Sequence, residues 1–454
     1  MMVFGLLDLG LGMTINREIA ILIVTKNSEE KLINTIYSTE RIYLLFTILI
    51  LIIIETFSPL ISKNWLSFSD YSNNQVTRII MIIGFVVASK WPVSFYNNIL
   101  SGFQRFDILN IVKVLNLSFI GVGSIIVLKY VSPTLEAFFL WNIIVNCFYV
   151  IILKYVTSMR VKSITKLKGK FDRKIINSIK VFSIGVALYT LLGSLFPIIS
   201  RFILSGIFNL SELGYYSLII TLSLGVMQLV YPITGSFFPA FTSLLKKNNS
   251  KEIRKLFIQS FQIILILGFT FCTLFLLYSD QILMLWTNNI MIVTETKKII
   301  IPIFVGTFFY TIRILSNVAY LAKGRVSLLV KFQIFIYLIF IPMLIILTMK
   351  YGYEGASYSW LIVNFIGFVL SLIVIKVIFH KESIFELYTE MFYPILLMII
   401  STISFYSLLN QFSYVPDQII QIIIMTLIIF TTGILSSNIL REYFKIIVYN
   451  FQKH

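Results

Sequence analysis

The chain has 454 residues, 58% of them hydrophobic and 13% charged, about half the ~25% charge of soluble domains. So few charges cannot cover a water-soluble surface, and so apolar a composition also excludes a disordered chain. The net charge of +17, from 37 basic and 20 acidic residues, then reads as the basic loops of a membrane protein rather than as a nucleic-acid footprint.

A helix crosses ~30 Å of hydrocarbon with roughly 20 residues. Apolar runs between charged or turn-rich breaks place thirteen candidate spans near 4–25, 42–62, 79–101, 108–129, 135–156, 179–206, 212–240, 257–279, 298–321, 328–349, 355–378, 389–410 and 417–437. The first carries Asp8, Arg17 and Glu18 and lacks the basic start of a signal peptide. No alternating ten-residue pattern suggests a β-barrel. With the C-terminus placed in the cytoplasm, 26 of the 37 basic residues fall on the inner side and six outside. The largest basic group lies between Lys154 and Lys180. That asymmetry sets the expected orientation. The basic loops are expected to touch anionic lipid heads, and no nucleic-acid partner is expected.

Local signatures recur about 220 residues apart. Phe57-Ser58 with Trp65 returns as Tyr278-Ser279 with Trp286, Gly102 as Gly324, Trp141 as Trp360, and Asn146 as Asn364. The fold expected is all-α and polytopic, with thirteen transmembrane helices. Two parallel six-helix-type lobes surround a central cavity and two further helices follow. The division is 1–156 for the first lobe, 157–178 for a basic cytoplasmic linker, 179–380 for the second lobe, and 381–454 for the extra spans and tail. Shifting the span at 179–206 back by the repeat places its counterpart before residue 1, so the first lobe is expected to lack its first helix. Seven of ten prolines (Pro92, Pro197, Pro232, Pro239, Pro302, Pro342 and Pro394) fall inside spans, where neighbouring helices or cavity water can satisfy the freed carbonyls.

Cys147 and Cys272 lie in apolar runs, and His380 and His454 sit at a helix end and the C-terminus. These offer no disulfide framework, zinc spacing, haem ligation or histidine-based triad, and neither a metal nor a cofactor is expected.

The segments FGLLDLGLGMTINREIA at 4–20, LSGFQRFDILNIVK at 100–113 and LSELGYYSLI at 210–219, with the Gly324-Arg325 turn, resemble the polysaccharide-biosynthesis flippases. These are the Wzx-type O-antigen and exopolysaccharide exporters, in the superfamily that includes MATE exporters and the lipid II flippase. The resemblance implies a multi-pass protein of the bacterial inner membrane that is not an enzyme. It would carry undecaprenyl-pyrophosphate-linked oligosaccharide from the cytoplasmic to the outer leaflet for O-antigen, capsule or other surface polysaccharide. It also allows other polysaccharide-assembly membrane proteins as partners.

An intramembrane charge is expensive and marks a functional site by default. Lys90 lies 12 residues before Gly102 and Arg313 lies 11 before Gly324, which at ~1.5 Å per residue is about 17 Å from the cytoplasmic end. The repeat places them at nearly equivalent positions, as candidate cavity cations for a diphosphate. Arg17 and Arg201 are the other candidates. Arg17 stands beside Glu18, so a structural charge network is an equal reading, and the position of Arg201 equally suits outer-leaflet head groups. Trp91, Tyr96, Tyr310 and Trp360 could stack on sugar rings, although packing is the commoner role. Two other functions remain open. A cation-coupled drug or metabolite exporter would favour intramembrane acids, which are scarce here apart from Glu55. A polysaccharide polymerase or ligase would favour a large outer loop, whereas those near 62–78 and 280–297 are short and hold no histidine.

Overall fold

The computed structural model describes residues 10–64, 72–379, 383–409 and 418–437. Among them the chain is helical, with no strand. The helices are α1 (Leu11–Leu22), α2 (Glu29–Asn64), α3 (Asn73–Gly102), α4 (Phe106–Tyr130), α5 (Leu135–Lys162), α6 (Arg173–Ser205), α7 (Leu210–Ser223), α8 (Met227–Lys247), α9 (Ser250–Thr287), α10 (Ile290–Ala322), α11 (Val326–Ile378), α12 (Ile384–Leu409) and α13 (Gln418–Ser436). Polar caps set several starts. Ser72 with Gln75 and Asn209 with Glu212 form reciprocal capping boxes at α3 and α7, and Thr134 caps α5.

Eleven helical stretches among the described residues are long and apolar enough to cross a membrane. One of them holds two of the expected spans. α11 has 53 residues, ~80 Å at 1.5 Å per residue, far more than ~30 Å of hydrocarbon. It is broken at Gly352 (φ 60°, ψ −145°), between the runs expected at 328–349 and 355–378. A second break was not expected: a 3₁₀ turn, Leu224–Val226, interrupts the stretch Leu210–Lys247 between α7 and α8. Of the first expected span, residues 1–9 lie outside the described residues, and α1 covers 12 residues of the remainder. His380, His454 and Trp65 also lie outside them. Pro59 joins the prolines inside helices.

The chain divides into two compact units, Met1–Leu191 and Leu192–His454. In the first, α1 is held by close backbone approach. Gly102 ends α3 against it, and a Cβ there would stand 2.8 Å from the Asn16 carbonyl oxygen and 2.9 Å from Ile19 Cβ. Asn16 Nδ2 donates to Ser101 Oγ at 2.9 Å, and Ser183 of α6 donates to Thr14 Oγ1 at 3.0 Å. Ile15 and Ile19 thereby enter a core with Trp91, Phe95, Ile99 and Leu153. α4 buries only Gly123 and Ser124, while Ile111, Val114 and Ile125 are exposed. An apolar helix with so little buried is one solvated by lipid.

In the second unit the core gathers Ile299, Ile303 and Phe304 of α10 with Phe340 and Trp360 of α11. The C-terminal helices dock on α9 through Ile266, Met398, Met425 and Ile429. Two polar pins accompany them: Gln262 Nε2 donates to the Glu390 carbonyl at 2.8 Å, and Ser437 Oγ donates to Gln262 Oε1 at 2.6 Å.

Backbone landmarks carry the repeat better than the residue matches do. Left-handed Asn27 (φ 55°) recurs as Asn248 (φ 54°), and Gln104 (φ 58°) as Gly324 (φ 83°). The starts of α2 and α4, Glu29 and Phe106, recur as those of α9 and α11, Ser250 and Val326. The expected pairing of Gly102 with Gly324 is therefore displaced by two residues. Gly102 is a helical residue that needs space against α1, whereas Gly324 is the left-handed residue that ends α10.

Candidate functional site

Arg313 is the most buried of the four candidate cations, 8% exposed within α10. Two residues shape its place. Tyr310, one turn earlier, lies under the guanidinium with its ring centroid 5.0 Å from Cζ, a cation–π geometry. Gly367 of α11 leaves the room: a Cβ at that position would overlap Arg313 Nη1 and stand 3.1 Å from Cδ and Cζ. The same stretch of α10 is polar at its core. Thr307 Oγ1 donates to Ser223 Oγ at 3.0 Å, beside the 3₁₀ turn, and receives the Trp360 indole N–H at 3.1 Å.

Lys90 is half-buried on α3. The corrected register alters its relation to Arg313. Lys90 precedes Gln104 by 14 residues and Arg313 precedes Gly324 by 11, so the repeat counterpart of Lys90 is Tyr310 and the two cations are offset by three residues. The repeat equivalent of Lys90, Tyr310, thus lies about one turn before Arg313 on the same face of α10.

Arg17 is half-buried on α1. It pairs with Glu18 at 3.2 Å and lies over the Phe182 ring, 4.9 Å from its centroid. Both the pairing and the aromatic contact stay within the first unit. Arg201 is exposed on α6, next to Phe202, which is also exposed. The four cations thus divide two and two: Arg17 and Lys90 in the first unit, Arg201 and Arg313 in the second.

The aromatic candidates are mostly packed. Trp91 lies among Tyr43 and Phe46, and the Tyr96 hydroxyl donates to Glu40 Oε1 at 2.6 Å. Trp360 is spent on Thr307. Tyr310 remains half-buried beside Arg313. The intramembrane acid Glu55 packs on α3 at Gly84, where a Cβ would stand 3.2 Å from Glu55 Oε1. Among the described residues no group of three or more histidine, cysteine or acidic side chains could hold a metal ion.

Gly367 and Phe182 escaped the sequence reading because each acts on a cation from a different helix, and no local spacing links them. The Glu40 cluster escaped for the same reason: Lys154 reaches Glu40 Oε1 at 3.2 Å from α5.

A Shigella flexneri protein with the name "Putative O-antigen transporter" is 25% identical over 366 residues, which is 78% of this chain and 82% of that protein. Among solved structures, the Vibrio cholerae MATE transporter VcmN in its bent form matches with a TM-score of 0.69 at 16% identity, covering 82% of this chain and 85% of that one. A MOP superfamily transporter from Pyrococcus furiosus, described by the reversed polarity of its binding pocket, matches at 0.65 and 14% identity over 84% and 87%. At such identities these structures establish the fold, an all-α polytopic architecture. Residues 1–289 match the sequence family described as "Polysaccharide biosynthesis protein", and with that match spanning more than half of its length, the chain belongs to the polysaccharide biosynthesis protein family.

Proposed function

We propose that this protein is a flippase of the bacterial inner membrane, with its C-terminus in the cytoplasm. Its cargo is an undecaprenyl-pyrophosphate-linked oligosaccharide, moved to the outer leaflet for O-antigen, capsule or another surface polysaccharide. The observation that carries the reading is the buried Arg313, held over Tyr310 in a cradle opened by Gly367. A permanent guanidinium deep in a span is retained at high cost, and it offers forked donors suited to a phosphate. Lys90, offset by three residues in the repeat, supplies a second cation. Arg17 and Arg201 are assigned supporting places on the same path. The family membership and the name of the Shigella flexneri relative support the same cargo class.

Within this reading the chain performs no covalent chemistry. Its cations offset the diphosphate charge, and its lipid-facing apolar surfaces leave the polyprenyl tail in the bilayer. Other membrane proteins of polysaccharide assembly would supply and consume the cargo. The test is deletion of the gene in its own bacterium. Loss of surface polysaccharide with accumulation of lipid-linked oligosaccharide, both reversed by the wild-type gene, is expected. Unchanged surface polysaccharide and no accumulation would overturn the proposal.

A further inference from the structure

Residues 163–172 connect α5 to α6 without helical structure, and their second half, from Gly169 to Asp172, is fastened to the first turns of α2. The Lys170 N–H donates to Asn34 Oδ1 at 2.7 Å, and the Asp172 N–H donates to Ser38 Oγ at 2.8 Å. Gly169 lies so close to α2 that a Cβ would stand 2.7 Å from Tyr37 Cβ and 3.1 Å from the Ile33 carbonyl. Thr165 is buried and accepts the Leu167 N–H at 3.1 Å. From Gly169 to Asp172 the segment is a strap held against α2.

Its outer side is cationic. Lys162, Lys166, Lys168, Lys170, Arg173 and Lys174 are all exposed. The one acid among them, Asp172, is occupied in accepting the Lys174 N–H at 2.8 Å at the start of α6. Two large apolar side chains stand out between these cations, Leu167 at 53% exposure and Phe171 at 56%. Backbone pinning at Gly169 to Asp172 fixes the main chain that carries these charges, so little backbone entropy there remains to be lost on binding.

The depth of the strap follows from α2. That helix has 36 residues, ~54 Å at 1.5 Å per residue, while its apolar run starts near residue 42. The strap contacts at Asn34 to Ser38 therefore stand about 6–12 Å beyond the hydrocarbon edge by the same rise. A headgroup layer is about 5–8 Å thick on each side. The end of the strap pinned at Ser38 stands within the headgroup layer and the end pinned at Asn34 just beyond it, so the long lysine side chains reach headgroup phosphates, and Phe171, beside Asp172, is the apolar side chain nearest the acyl boundary.

We propose that this strap is a binding surface for the anionic lipid headgroups of the adjoining leaflet. The cations match phosphate headgroups in sign and height, and the apolar pair matches the layer beneath. An acidic soluble protein would leave Leu167 and Phe171 without a counterpart. The inference stands independently of the proposed cargo.

The full-length protein is tested in mixed micelles of equal phosphatidylglycerol and phosphatidylcholine, reading the ratio of the two lipids retained on the immobilised protein. Wild type retains phosphatidylglycerol preferentially at 0.1 M NaCl and loses the preference at 1 M, where screening falls to about 3 Å. Lys166→Gln/Lys168→Gln/Lys170→Gln lowers the preference by roughly tenfold, given that each surface cation contributes substantially to anionic-lipid binding. The equally charge-reducing Lys246→Gln/Lys247→Gln/Lys251→Gln leaves most of it. Leu167→Ser/Phe171→Ser lowers retention of phosphatidylglycerol with the charges intact. Equal loss from both lysine triples, or no salt effect on wild type, would overturn the proposal. So would binding of a polyglutamate peptide that disappears with the strap triple while lipid preference persists.

Discussion

The guanidinium of Arg313 occupies the space that a side chain on residue 367 would fill. Any Cβ there would overlap Nη1 and crowd Cδ and Cζ at 3.1 Å. Glycine at 367 thus admits the guanidinium where it lies, a side chain there would force Arg313 to shift, and the pair forms one unit across α10 and α11. Gly367→Ala is expected to destabilise the purified protein by about 1–3 kcal/mol, the usual range for overpacking, and to impair export. In an Arg313→Ala background the same substitution is expected to cost little, because residues that share a space are non-additive. Thermal unfolding of the four proteins in the cycle reads the coupling. Equal shifts in both backgrounds would show that Gly367 serves some other contact.

The recurring turns predict opposite responses to matched substitutions. Gln104 and Gly324 end α3 and α10 in the same left-handed conformation, φ 58° and 83°. Gln104→Gly relieves a conformation that costs a side-chain-bearing residue roughly 1–2 kcal/mol and is expected to raise the melting temperature. Gly324→Ala imposes that strain and is expected to lower it. Matching signs for the two would contradict the register that pairs these turns.

The buried polar link on α10 makes a third expectation. Thr307 joins Ser223 to Trp360 through its hydroxyl, next to the 3₁₀ turn that divides α7 from α8. Thr307→Val keeps shape but removes the acceptor of the Trp360 indole N–H, while Ser223 keeps its bond to the Ile220 carbonyl, and a stability loss of about 1–3 kcal/mol is expected. Ser223→Ala is expected to be milder, because Thr307 still donates to the Ile303 carbonyl and still receives Trp360. Chemical denaturation in detergent compares them, and a milder effect for Thr307→Val would contradict the assignment.

Orientation is checked by thiol labelling in intact cells. With Cys147 and Cys272 replaced, a cysteine at Ser163, in the strap turn, is expected to resist an impermeant reagent. One at Asn74, exposed at the start of α3, is expected to react. Asn74 is preferable to Ser72, whose hydroxyl caps α3 by accepting the Gln75 N–H. The reverse pattern would invert the protein in the membrane.

The spans were legible because hydropathy over some twenty residues is a strong and local signal; even the break at Gly352 falls where charge and glycine interrupt the apolar run. The 3₁₀ turn at Leu224–Val226 was not legible, because Leu-Gly-Val carries no breaker that distinguishes it from glycines inside continuous helices. Residue matching found the repeat but set its register two residues off at Gly102, since the conserved feature is a backbone conformation that glutamine adopts in one copy and glycine in the other. Among the candidate cations, depth along a helix could be read from sequence. Rotation and partners could not, and these separate buried Arg313 from exposed Arg201 and attach Arg17 to Glu18 and Phe182. The strap was visible only as a hydrophilic linker, because its pins, Asn34 and Ser38, lie more than 130 residues away in sequence.

In the proposed function, intramembrane cations carry a lipid-linked diphosphate across the bilayer. Its most direct test is translocation of undecaprenyl-pyrophosphate-linked oligosaccharide in proteoliposomes, reading the fraction of cargo that becomes accessible on the far side. Wild type is expected to translocate the cargo. Lys90→Ala/Arg313→Ala, reconstituted in equal amount, is expected to fall at least about tenfold, the effect of 1.4 kcal/mol on the barrier. Translocation by the double variant at the wild-type rate would contradict the account.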